Sequence, residues 1–219
     1  MDEILPVEEH DGSGKPVTAT ATLVSILVAY ATRHGSTAEV AEAVAEELGG
    51  AGRRVIAKQI TPGLRTEAYD AVVVGGPMIM GWHKDAVRFL KRNAAALAGK
   101  PTACFITAAS LTQTEEEEID GLPVFIDPWL PKRPRQPERL SRKERYASPR
   151  HYLAPILAAG PALRPRSVAF LGGLLDLTEM NILEKLFVLL AVGASPGDLR
   201  NWEAIRGWAR DLASLLDVV

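Results

Sequence analysis

Short apolar runs alternate with amphipathic stretches along most of this chain. Residues 23–30 are almost continuously apolar and end at a Gly/Ser/Thr turn, which predicts a strand buried on both faces. From Thr37 the period changes. Ala38, Val40, Ala41, Val44, Ala45 and Leu48 fall on one face and Glu39, Glu42, Glu46 and Glu47 on the other, until Gly49 and Gly50 stop the predicted helix. Residues 55–60 predict a second strand, closed by Thr61, Pro62 and Gly63. Residues 71–74 predict a β-branched third strand closed by Gly75, Gly76 and Pro77, after which Val87, Phe89, Leu90 and Leu97 give residues 84–97 helical spacing. Residues 102–108 and 167–172 complete the strands and 202–216 form a closing amphipathic helix, so the pattern predicts an α/β, doubly wound, five-stranded parallel sheet.

The fourth and fifth strands are separated by more chain than one helical crossover needs. The excess, about residues 112–150, is expected to be an insert. It opens with Glu115, Glu116, Glu117 and Glu118, passes Pro123, Pro128, Pro131, Pro134 and Pro137, and continues through Arg139, Arg142, Lys143 and Arg145. Ser141 and Glu144 have capping-box spacing, so a helix is predicted to begin there and to resume after Ser148 and Pro149, with Tyr152, Leu153, Ile156 and Leu157 inward. Leaving the fourth strand at its carboxyl end, residues 111–150 are expected near the ligand crevice, with a basic side suited to carboxylates.

Composition then bounds the class. The 219 residues suffice for one α/β domain, read as residues 22–219 behind a flexible tail at 1–21 that lacks signal-peptide character. A net charge of −2 implies no particular partner. Cys104 lies in an apolar strand, where burial is the default, and neither it nor the scattered histidines have metal-ligand spacing, so no metal is expected. Residues 23–31 and 182–192 fall short of the ~20 apolar residues of a membrane-spanning helix, which predicts a cytoplasmic protein and leaves peripheral contact with the inner face of the membrane open. Homo-oligomerisation also stays open. The basic run lacks interleaved aromatics and has acids nearby, which argues against nucleic acid.

The turn after the first strand is the natural anion site of such a sheet, because helix amides point outward there. Thr32, Arg33, His34, Gly35, Ser36 and Thr37 occupy it, supplying hydroxyls, charge and a glycine that permits close approach. The same residues also suit an ordinary helix cap. Gly12, Ser13, Gly14 and Lys15 look superficially like a nucleotide loop, but Glu9 and Pro16 break the pattern. No dinucleotide-binding Gly-x-Gly-x-x-Gly follows the first strand, and a phosphorelay receiver would need acids where Ala29, Tyr30, Gly75 and Gly76 stand.

The turn with Thr32, Gly35 and Thr37 resembles the FMN phosphate loop of flavodoxins, whose pattern is Thr-x-x-Gly-x-Thr. Gly75, Gly76, Pro77, Met78, Ile79, Met80, Gly81 and Trp82 are similar to that superfamily's flavin-ring loop, with Ala108, Ala109, Ser110 and Leu111 as the opposite wall. Trp82 suits either stacking on the ring or packing on the sheet. Within the superfamily the chain most resembles the branch containing menaquinone-dependent protoporphyrinogen dehydrogenase, through residues 170–175, the apolar 183–192, the loop 193–198, and Asn201 with Trp202. Residues 115–118 and 130–137 depart from that branch. The resemblance implies a flavodoxin-like sheet of order 2-1-3-4-5 and non-covalent FMN. It also implies an FMN-dependent oxidoreductase acting on a small molecule and passing electrons to a quinone or redox-protein acceptor, with no side chain as acid–base catalyst. A flavodoxin-type electron carrier is the alternative, and an interaction module with a vestigial flavin site the third reading.

Overall fold

A computed structural model describes residues 24–50, 52–79, 81–160, 162–175 and 197–216. The expected tail at 1–21, Met80, the apolar stretch 183–192 and most of the loop 193–198 lie outside the described residues.

The apolar runs become strands and the amphipathic stretches helices in the expected alternation. β1 (Ser25–Tyr30) leads into α1 (Ser36–Gly49), β2 (Arg54–Gln59), β3 (Ala71–Pro77), α2 (Lys84–Ala98) and β4 (Thr102–Ala108). Across the expected insert follow β5 (Leu111–Thr112), β6 (Glu118–Ile119), β7 (Leu122–Ile126), β8 (Pro131–Lys132) and α3 (Arg142–Tyr146), and then the crossover helix α4 (Pro149–Leu157). The chain returns to the sheet in β9 (Ser167–Gly172), forms a small ribbon from β10 (Leu174–Leu175) and β11 (Gly197–Asp198), and ends in α5 (Trp202–Leu215).

Every residue of β3, β4 and β9 is buried, as parallel strands covered on both faces require. Alternate residues serve opposite faces. Val72, Val74, Cys104, Ile106 and Phe170 pack with Phe89 and Leu90 of α2 and with Leu153 and Ile156 of α4. Ile26, Val28, Val73, Phe105 and Leu171 pack with Val40 and Val44 of α1 and with Ile205 and Trp208 of α5. Gly75 belongs to this packing, since a Cβ there would meet the Phe105 ring at 1.9 Å. Cys104 is buried, and desolvation holds its thiol far above the usual range, which leaves it a packing residue.

The sheet is wider than the pattern predicts. The core order is that of the expected five strands, β2-β1-β3-β4-β9, but β7 adds parallel to β9 and β6 antiparallel to β7, giving seven strands. Pro123 hides β7 in the sequence because proline argues against an interior strand. It costs nothing here: only Val124, Phe125 and Ile126 pair with β9, and Pro123 faces the two-residue β6.

Asp127, at the carboxyl end of β7, fastens this extension. It is fully buried, and its carboxylate accepts hydrogen bonds from the Gly172 amide (3.2 Å), the Asn201 side-chain amide (3.1 Å) and the Trp129 amide (3.0 Å). Asn201 in turn caps α5 by accepting from the Ala204 amide. Gly172 is needed at this junction because a Cβ would meet the Leu199 carbonyl oxygen at 1.8 Å. Asp127→Ala should therefore strand buried donors and cost roughly 3 kcal/mol. The expected readout is a lower urea midpoint at an unchanged m-value; an unchanged midpoint would show that the extension is not fastened here.

Candidate functional site

All five core strands run parallel, so their carboxyl ends share one edge, and three loops meet there. The first follows β1. Gly35 adopts φ 84°, a left-handed conformation, and caps α1 with its backbone. Its amide donates to Thr32 Oγ1 at 3.0 Å, while its carbonyl accepts from Ala38 at 2.8 Å. The Ser36 and Thr37 amides thus lead the helix, where no intrahelical carbonyl reaches them and the positive end of the dipole lies. Nothing lies within 4 Å of where a Gly35 Cβ would stand, so the backbone borders open space. Arg33 and His34 are exposed and Ser36 is half-buried.

Thr37 is placed differently. Its side chain is buried, and its hydroxyl lies 3.1 Å from that of Thr107 at the end of β4. This buried pair ties the start of α1 to the middle of the sheet. The first-turn acid Glu39, which would repel an anion at the helix start, is paired with Arg200 at 2.8 Å. Mutual hydrogen bonding with Asp198 and Glu39 holds the Arg200 guanidinium more firmly protonated than usual.

The second loop follows β3. Gly76 and Pro77 close the strand, the Met78 amide donates to the Thr107 carbonyl at 2.8 Å, and Met78 bridges to Trp82 around a tight turn through Ile79 and Gly81. Trp82 is only 4% exposed, and its indole N–H donates to the Gly76 carbonyl at 3.0 Å. Its ring belongs to the core under the loop, so Trp82 braces the turn from beneath. His83 caps α2 through Nδ1, which accepts from the Asp85 amide at 3.3 Å. Desolvation chiefly lowers its pKa; Asp85 opposes this and the Arg33 charge adds to it, so the first two loops sense each other.

The third loop follows β4. Ala108 is buried, Ala109 half-buried, and Ser110 buried with its carbonyl accepting from the Tyr152 hydroxyl at 3.0 Å. Leu111 is fully buried and opens β5, which pairs with β8, so it serves the core of the insert. The insert folds back on its own start: the Thr112 amide donates to the Ala147 carbonyl at 2.8 Å and its hydroxyl donates to the Glu144 carbonyl at 2.7 Å, which brings the half-buried Tyr146 beside Gly81 of the second loop. The expected capping box is present, with Ser141 and Glu144 exchanging bonds at the start of α3.

Of the residues proposed from sequence on the first two loops, Arg33, His34 and Gly35 are exposed, Thr32, Ser36, Ile79 and Gly81 are half-buried, Thr37, Gly76, Pro77, Met78 and Trp82 are buried beneath them, and Met80 lies outside the described residues. Sequence reasoning missed Thr107 and Tyr146; it placed Tyr152 inward, as found, but without its bond to Ser110. Thr107 had one signal, a hydroxyl in an otherwise apolar strand end. Among the described residues no three His, Cys, Asp or Glu side chains group as metal ligands, and no helix is long and apolar enough to cross a membrane.

Comparison with known proteins gives the family. A family model described as a flavodoxin domain matches residues 27–193. Among solved structures, the chain is similar to a short-chain flavodoxin associated with a PDU bacterial microcompartment (13% identity, TM-score 0.49, 89% of this chain and 97% of that one). It is also similar to the flavodiiron protein from Giardia intestinalis (12% identity, TM-score 0.47, 88% of this chain) and spans 36% of that protein's length. A flavodoxin from Streptococcus pneumonia TIGR4 aligns at 13% identity and TM-score 0.44, covering 87% of this chain and 99% of that one. A search of curated proteins gave no match.

Two outcomes test this geometry. Gly35→Ala meets open space, so backbone strain alone should cost about 1–2 kcal/mol of folding stability, read from urea unfolding. Because His83 binds its proton less readily folded than unfolded, its contribution is complete above the unfolded value of about 6.5 and is lost as pH falls through the lower folded value. His83→Asn, which keeps a capping acceptor, should remove that part of the acid dependence; identical pH profiles for the two proteins would contradict the assignment.

Proposed function

The chain belongs to the flavodoxin domain family, whose cofactor is FMN, and on that premise we propose that it is an FMN-dependent oxidoreductase whose phosphate turn is formed by Thr32, Arg33, His34, Gly35, Ser36 and Thr37. The donor set fits a phosphate dianion. Outward amides at Ser36 and Thr37, the half-buried Ser36 hydroxyl, and a Thr32 hydroxyl whose oxygen already accepts from Gly35 all leave hydrogens for an anion. Thr37 acts indirectly, holding the helix start against Thr107. The loop of Gly76, Pro77, Met78, Ile79, Met80 and Gly81 would border one side of the ring, with the Met78 and Ile79 amides already bonded to the Thr107 and Gly81 carbonyls, and Ala108 and Ala109 would border the other.

When bound, FMN supplies hydride and single-electron chemistry, so the protein need only bind, orient and exclude water. Trp82 keeps the ring loop rigid by its bond to Gly76. Ser110, held by Tyr152, fixes the facing wall.

One observation favours an enzyme over a carrier: the insert reaches the second ring loop, where its Tyr146 lies beside Gly81, while the third loop is held by Tyr152 of the crossover helix α4. A carrier works with an exposed flavin edge, whereas walls of this kind suit a small-molecule substrate. The finer reading, quinone-linked oxidation of protoporphyrinogen, is supported by the likeness of residues 170–175 and 201–202 to that dehydrogenase branch. Electron carriage to a protein partner is the second reading, favoured by the family itself.

Acid precipitation of the purified protein should release FMN. Ser36→Ala should weaken FMN binding by ~1–3 kcal/mol at little cost in stability, while Thr37→Val should lower stability more than its FMN contacts. Equal FMN affinity in wild type and Ser36→Ala would remove the turn from the site. Tyr146→Ala, which opens the wall beside Gly81 and leaves β7 and Asp127 in place, should keep FMN affinity and lower turnover of protoporphyrinogen with a quinone acceptor. Equal turnover would favour the carrier.

A further inference from the structure

Beside the third loop the insert carries a surface that the flavin site does not use. Residues 128–145 hold five arginines and two lysines against Glu138 and Glu144, a net charge of +5 in a chain whose total is −2. All seven cations are exposed, and Glu144 is already committed to the amides of Ser141 and Arg135. Among the described residues, Arg133, Arg139, Arg142 and Arg145 make no ion pair.

The same segment carries the most exposed large apolar side chain described, Trp129, at 74%. Its position is fixed: its amide donates to the buried Asp127 carboxylate, and Pro131 and Lys132 are paired in β8 with Leu111 and Thr112 of β5. Pro128, Pro131, Pro134 and Pro137 restrict the backbone further. A tryptophan on a restrained backbone, followed along the chain by exposed arginines, has the composition of an interface hot spot, where both residue types are enriched.

The charge pattern selects the occupant. A flat anionic bilayer would meet both signs, because the exposed acids Glu115 to Glu118 begin two residues beyond Gln113, whose amide donates to the Lys132 carbonyl at 2.9 Å. A protein can match such a pattern, and arginine forks favour discrete carboxylates.

We propose that residues 128–145 form the docking surface for an acidic redox protein, with Trp129 as its central apolar contact, one loop away from Ala108 and Ala109. What the partner exchanges rests on the flavin reading above; the docking does not.

The experiment uses the full chain, loaded with FMN and stripped of it, and measures Kd for an acidic [2Fe–2S] ferredoxin, for basic cytochrome c, and for phosphatidylglycerol vesicles. Measurements are made at about 0.01 M salt, where the Debye length is ~30 Å, and at about 1 M, where it is ~3 Å. The expected result is ferredoxin binding that weakens by about tenfold or more with salt, and no cytochrome binding. Trp129→Ala and the double reversal Arg133→Glu with Arg142→Glu should each weaken ferredoxin binding by about tenfold at unchanged FMN content. Ferredoxin affinity insensitive to both variants, or binding to vesicles in place of ferredoxin, would overturn the proposal. A purified protein that takes up no FMN yet still binds ferredoxin would sink the flavin reading alone.

Discussion

Burial of parallel strands on both faces is the constraint from which the rest of this molecule follows. With α2 and α4 on one side and α1 and α5 on the other, the central strands β3, β4 and β9 have no free face and are buried along their whole lengths. Only the strand ends are left to meet a ligand. Because the strands are parallel, their carboxyl ends fall together, and the helix that follows β1 presents its amides at that edge. The register does the placing: Gly75 beside Tyr30 and Thr107 beside Pro77 bring the loops of β1, β3 and β4 to one level.

Two buried polar links carry this arrangement from the sheet into the loops. The Thr37 and Thr107 hydroxyls join α1 to β4 inside the core, and Asp127 joins β7, β9 and the cap of α5. In a low-dielectric interior such links hold geometry tightly, since a lost partner leaves a costly unsatisfied group. The indole of Trp82 does the same for the β3 loop through Gly76. The loops at this edge are thus shaped from beneath by buried residues.

Much of this was legible in the sequence. Runs such as residues 71–74 and 102–108 are short, apolar and bounded by turn residues, as buried strands are, and the switch to a helical period at Thr37 marks the turn proposed to hold the phosphate. Ser141 and Glu144 announced α3 because capping is local. What stayed hidden is non-local. β7 is a strand only because β9 offers it an edge, and Pro123 masked it. That Trp82 lies beneath its loop while Trp129 stands in solvent depends on which side of a turn each ring falls, and no periodicity records that. Likewise Thr37 fits the phosphate-turn pattern by spacing, yet its hydroxyl is turned to a partner seventy positions away in the chain.

The central claim is that the start of α1 holds the cofactor by its phosphate. Titrating the apoprotein with FMN and with riboflavin, which lacks only the phosphate, tests it directly by flavin fluorescence. Two or more charge-assisted hydrogen bonds to a dianion should make FMN bind about a hundredfold more tightly or better. Equal affinity for the two flavins would contradict the account, because the turn from Thr32 to Thr37 would then have no anion to hold.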